Sequence, residues 1–228
     1  PSLVRACVRA CVRAGAPRRR FDSRSSRRCT FVCRYILSVD VWTRTNMASF
    51  GQEVSEQLEQ VLLNDRHSEQ SIAVLERCLA LQVEKKIYHN EANFALLKLY
   101  QFYPHLQNVD NLELIFLKAL LHLEDFLPSL YLLPYTLQCS EPFTTLQKLA
   151  GYLDTAKFGE FWELASSSGL AQKVPGFDDA AREQIGSFLA LAYQVVPVKV
   201  AKTALRFDGD EPGFSTFLKK HDWALDDF

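Results

Sequence analysis

The stretch from Tyr88 to Pro104, YHNEANFALLKLYQFYP, leaves no face of a helix free. At about 100° per residue, Ala92, Ala95, Leu96, Leu99, Tyr100, Phe102 and Tyr103 share one broad apolar arc. Asn90, Glu91, Asn93, Lys98 and Gln101 fall opposite, yet Phe94 and Leu97 project from the middle of that polar arc. Such a segment is predicted to be an inner helix, covered from two sides as in stacked helix pairs. Pro104 ends it, because proline lacks the donor for a further turn and disfavours helical geometry in the residue before it.

The same period runs through the chain on either side. Val54, Leu58, Val61 and Leu62 stripe a first helix ending near Asn64, and Ser68 is the expected cap of a second, striped by Ile72, Leu75, Leu79, Val83 and Ile87. Asp110 and Glu113 have capping-box spacing ahead of Leu112, Ile115, Phe116, Ala119, Leu120 and Leu123. A helix over 128–138 is expected to bend or split at Pro134, and Pro142 opens another, striped by Leu146, Leu149, Ala150 and Leu153. Phe158, Phe161, Trp162 and Ala165 stripe the next, with Ser166, Ser167, Ser168 and Gly169 read as a loop. Helices of this length are marginal alone, so each must bury its stripe against neighbours. The expectation is an array of antiparallel helix pairs, whose core includes Phe94, Leu97, Leu99, Phe116 and Trp162.

Beyond Pro175-Gly176 the pattern changes to three helices joined by short turns. The first carries Ala181, Ile185, Phe188, Leu189, Ala192 and Val196 to Pro197, the second runs from Val198 to Leu205, and the third from Glu211 to Asp222. That order is what a winged helix presents before its wing. After Trp223 there remain Ala224-Leu225-Asp226-Asp227-Phe228, so the wing is expected to be truncated. The predicted fold class is all-α, with a HEAT-like helical-repeat domain at 47–170 and a winged-helix-like domain at 171–228.

A net charge of −1 conceals two unlike parts. Residues 1–46 hold eleven arginines, no lysine and two aspartates, whereas residues 47–228 hold 15 Lys and Arg against 25 Asp and Glu. The break falls at Met47, the one methionine, and Met47-Ala48-Ser49 reads as an ordinary start. Residues 1–46 are therefore expected to be a disordered or non-native extension. Three other readings compete. Cys7, Cys11, Cys29 and Cys33 have doubled C-x3-C spacing, as in a four-thiolate zinc site, although ACVRACVRA looks like a short duplicated tract. The arginine- and serine-rich, acid-poor composition fits a transit peptide, and it also fits a basic RNA-binding arm with Phe21, Phe31 and Tyr35 as its few aromatics. No apolar run reaches the roughly 18 residues of a membrane span.

EANFALLKLYQFYP, with FGEFWEL, VPGFDDAAREQIGSFLALAYQ and KKHDWALDD downstream, resembles the k-subunit family of eukaryotic translation initiation factor 3. The resemblance extends from about Met47 to the C-terminus. The looser matches alone fit a wider family of PCI type, shared with subunits of the proteasome lid and the signalosome. What the resemblance implies is a non-catalytic, cytoplasmic scaffold subunit. It would support assembly of the 43S pre-initiation complex and recruitment of messenger RNA on the small ribosomal subunit. The partners implied are other subunits of that factor, especially subunit l. The alternatives are a related lid or signalosome scaffold, or a free-standing winged-helix nucleic-acid binder.

The residues supply little chemistry. His67, His89, His105, His122 and His221 are scattered with no metal-ligand spacing, and there is no nucleophile elbow, phosphate-cradling loop or dinucleotide fingerprint. No enzyme activity, cofactor or metal is expected; Asp178-Asp179 and Asp226-Asp227 read as solvated helix ends. The one polar constellation to weigh is Lys199, Lys202, Arg206, Lys219 and Lys220, a modest basic face suited to weak RNA contact. Asp208, Asp210, Glu211 and Asp222 surround it, and the third helix offers no Asn, Gln or Arg to read bases.

Overall fold

The structure, a computed structural model, describes residues 3–6 and 52–226. Eleven α-helices among these residues are α1 (Gln52–Asn64), α2 (Ser71–Glu84), α3 (Asn90–Phe102), α4 (Val109–Leu120), α5 (Leu123–Leu130), α6 (Tyr135–Gln138), α7 (Phe143–Asp154), α8 (Phe158–Ser168), α9 (Phe177–Ala192), α10 (Val198–Leu205) and α11 (Glu211–Lys220). The fold class is all-α, with one small sheet beside the last helices. From α1 to α3, each helix packs on the next and on the one after it, as stacked pairs require.

One continuous core runs from Val54 on α1 to Trp223 beyond α11. Leu97, Leu99, Phe116 and Trp162 are buried in it, with the Phe126 and Phe143 rings edge-on to Phe116 at 5.7 and 5.5 Å. Phe94 departs from the expectation: it is half-buried and lies outside this core. The buried neighbour is Asn93. Its Nδ2 donates to Gln82 Oε1 (3.2 Å), and its Oδ1 accepts from Gln82 Nε2 (2.8 Å), so two amides satisfy each other between α2 and α3. That reciprocal pair turns Asn93 inward and leaves Phe94 on the rim. Phe102, expected on the buried arc, is 59% exposed, because it ends α3 where the chain turns away at Pro104.

Helix ends differ from the expected ones wherever the capping group is unusual. The α3 cap is His89, whose Nδ1 accepts from the Ala92 amide at 3.2 Å. Asn108, not Asp110, caps α4, accepting from the amides of Asp110 and Asn111 at 3.0 and 3.4 Å. Glu113 is buried and pairs with Lys173 instead of closing a capping box. Ser68 lies in a turn ahead of α2 and caps nothing. The serine triplet belongs to the last turn of α8, with Ser166, Ser167 and Ser168 hydroxyls donating to the carbonyls of Trp162, Leu164 and Ala165. Pro134 separates α5 from α6, as expected of a splitting proline.

Three short antiparallel strands form the sheet: β1 (Leu3–Ala6), β2 (Val195–Pro197) and β3 (Trp223–Asp226). Their order is β2-β1-β3, with Val4 facing Val196 on one side and Leu225 on the other. Two expectations change here. The chain forms a strand after Trp223 where none was expected, and Leu3–Ala6, in a leader expected to be disordered, is a strand of the same sheet. The four leader cysteines, and with them the zinc reading, lie outside the described residues.

Candidate interaction surface

The C-terminal helices are assembled around a close approach and a cluster of rings. Gly186 lets α9 approach α11, since a Cβ there would stand 2.7 Å from Phe217 Cζ. Phe207 packs on Phe214 and Phe217 at 5.8 and 5.7 Å, and Trp223 meets Phe217 edge-on at 5.8 Å. Arg182 stacks over Phe207 at 4.7 Å and donates Nε to the Leu205 carbonyl, fastening α9 to the end of α10. This packed centre fixes which residues of α10 and α11 point outward.

Of the five basic residues singled out in the sequence, three are already paired. Lys202 pairs with Glu211 and lies over the Phe214 ring. Arg206 Nη1 lies 4.0 Å from Asp178 Oδ2 and stacks over Trp162 at 5.5 Å. Lys220 Nζ lies 2.5 Å from Glu183 Oε1. His221 Nε2 is 2.9 Å from the other Glu183 oxygen but outside hydrogen-bond geometry, so that contact is Coulombic and acts when the imidazole is protonated. Lys199 and Lys219, both exposed, are the members without an ion pair among the described residues. A phosphate backbone approaching this face would meet two free ammonium groups and at least three carboxylates, so few counterions would be released.

The same module leaves large apolar side chains in solvent. Leu191 (72% exposed) and Tyr193 (55%) stand at the end of α9, Val195 on β2, Val200 on α10, and Leu225 (55%) on β3. Chain connectivity and the sheet put these residues on neighbouring elements, and nothing among the described residues covers them. A second group, Leu127 on α5, Tyr131 just beyond its end and Tyr135 on α6, lies exposed on the array. Sequence periodicity misses both groups because it marks which side of a helix is buried, not which off-stripe apolar residues stay wet. Their signal is an apolar residue one or two positions off a strong stripe, as Leu191 is from Leu189.

Among the described residues, no three His, Cys, Asp or Glu side chains come together as a metal-binding group, and no helix is long and apolar enough to cross a membrane. Residues 107–227, more than half of the chain, match the model of the CSN8/PSMD8/EIF3K family. The chain belongs to this family. Curated relatives agree: eukaryotic translation initiation factor 3 subunit K of Dictyostelium discoideum is 34% identical over 150 residues, 65% of this chain and 61% of that protein. The protein of the same name from Xenopus tropicalis is 31% identical over 180 residues, 78% of this chain and 82% of that one. The human one is 30% identical over 166 residues, covering 72% and 76%. The family match thus takes in α4 to β3, including every exposed apolar residue of the C-terminal module.

Proposed function

We propose that this chain is a non-catalytic scaffold subunit of eukaryotic translation initiation factor 3. In this reading it supports assembly of the 43S pre-initiation complex and messenger RNA recruitment on the small ribosomal subunit, in the cytoplasm. Its helical array at 47–170 and winged-helix-like module at 171–228 serve as two docking platforms for other subunits, subunit l foremost. The observation that carries the proposal is the identity of at least 30% to proteins named subunit K, over up to 82% of their length. Physical support comes from the C-terminal module, where apolar side chains are uncovered while most basic ones are neutralised. Burying the first is favourable on association, at roughly 25 cal/mol per Å² of apolar area, whereas the second leave little charge for RNA.

Affinity capture of the tagged full chain from cells of its own source, followed by mass spectrometry, tests this. Subunits of initiation factor 3 with small-subunit ribosomal proteins are the expected result. Recovery of proteasome-lid or signalosome subunits, or of nucleic acid alone, contradicts it.

A further inference from the structure

Between the α2–α3 connection, α4 and the start of α9 lies a cavity of about 240 Å³. It opens to solvent on one side and has room for several water molecules or one small organic group. Lys118 of α4 lines it while being only 6% exposed. The Lys118 Nζ donates to the Ile87 carbonyl at 2.7 Å, which occupies one of its three N–H donors. No carboxylate pairs with Lys118 among the described residues. An ammonium buried without a counter-ion is costly, and that cost falls when an anion joins it.

A second ammonium borders the same cavity. Lys86 adopts φ +56°, and its side chain lies so close to Gly176 that a Cβ there would stand 2.9 Å from Nζ. Gly176, itself at φ +77°, thus accommodates the lysine where α9 begins. Lys86 also has no ion pair among the described residues. Among the described residues, the one carboxylate on the cavity wall is Glu183, which is engaged by Lys220 and His221. Gln184, on α9, adds a neutral amide donor to the lining.

We propose that this cavity is an anion site that takes a carboxylate, held between the Lys118 and Lys86 ammonium groups with the Gln184 amide beside them. The carboxylate would come from an acidic side chain or from a chain terminus. Either would tie the array to the C-terminal module, because the lysines belong to the first and Gln184 to the second. The proposal is independent of which assembly the chain joins.

Titration of the ¹⁵N-labelled full chain distinguishes the two sources. The probes are N-acetylglutamic acid α-amide for the side chain, N-acetylalanine for the terminus, and N-acetylglutamine amide as the uncharged control. Saturable shifts of the Gly176, Ala180 and Gln184 amides with at least one carboxylate, and none with the control, are expected. Lys118→Met, which keeps the stem and removes the charge, should weaken binding tenfold or more. Lys86→Gln, at an exposed position where the change should leave the melting temperature near the parent's, should weaken it severalfold and decides the matter if the Met variant does not fold. Shifts that fail to saturate, equal shifts with the uncharged probe, or parent-like binding by the lysine variants would overturn the proposal.

Discussion

Trp162 Nε1 donates a 2.9 Å hydrogen bond to the Ala204 carbonyl, joining α8 to α10 across 42 residues of chain. Ala204 stands in the last turn of α10, where carbonyls have no partner within the helix, so the indole satisfies an orphan acceptor. Trp162→Phe keeps most of the ring and removes the donor. The buried acceptor left behind should cost about 1–3 kcal/mol, read as a lower urea midpoint with unchanged slope, together with faster hydrogen exchange in α10. Parent-like stability and exchange would mean that the two helices are held by apolar packing alone.

Two glycines in helix interiors should respond with opposite signs. At Gly186 an added methyl meets the Phe217 ring, and overpacking of this kind costs about 1–3 kcal/mol, more than the ~1 kcal/mol that alanine returns in helix propensity. At Gly151 nothing lies within 4 Å, so Gly151→Ala should stabilise α7 by roughly 0.5–1 kcal/mol. Thermal melts of the two single variants check the pair; stabilisation by Gly186→Ala would contradict the close approach of α9 and α11.

Proton linkage gives a third expectation. Burial pushes the Lys118 amine down to about 8 from 10.5, so above pH 8 the unfolded chain holds a proton that the folded chain releases. Stability should therefore rise with pH from about 8, by a total on the order of 3 kcal/mol if Lys118 acted alone. Burial raises the Cys78 thiol to about 12, and burial with the nearby Asp125 carboxylate raises Tyr88; both groups resist ionising in the fold. They reverse the gain above pH 9 to 10, leaving a rise between pH 7.5 and 9. Lys118→Met should lack that rise. On the acid side, burial lowers His89 and His122, so the unfolded chain takes up protons first and stability falls as pH drops through about 6.5. Asp125, raised by burial, works against that fall at lower pH, so urea midpoints between pH 5.5 and 9 test the account where its signs are clear.

Leu97 and Phe94 separate what periodicity can locate from what it cannot. Leu97 is in the core, and Leu97→Asp should cost several kcal/mol as an unpaired charge in a packed site. Phe94 is half-buried, so Phe94→Asp should cost clearly less. Equal losses in chemical denaturation would restore Phe94 to the core. The stripes of α1 to α9 are legible because burial of large apolar side chains repeats with the helical period. Asn93, Gln82, Glu113 and Lys118 are not, since a buried polar residue is written like a surface one until its partner on another helix is known. The caps at His89 and Asn108, and the strand at Trp223–Asp226, likewise depend on tertiary neighbours. Within the basic face the residue types are legible, but the carboxylates that neutralise Lys202, Arg206 and Lys220 come in part from α9, beyond local reading.

Incorporation of two variants into the assembly tests the central claim most directly. One carries glutamate at Lys199, Lys202, Lys219 and Lys220; the other carries Leu191→Asp, at an exposed position whose change should alter stability by no more than about 0.5 kcal/mol. Each tagged full chain is captured from cells, and the co-purified initiation-factor subunits are quantified against the parent. Near-parental incorporation of the glutamate variant is expected, with loss of incorporation by Leu191→Asp without unfolding. Ejection of the glutamate variant from ribosomal complexes, with Leu191→Asp incorporated like the parent, would contradict it.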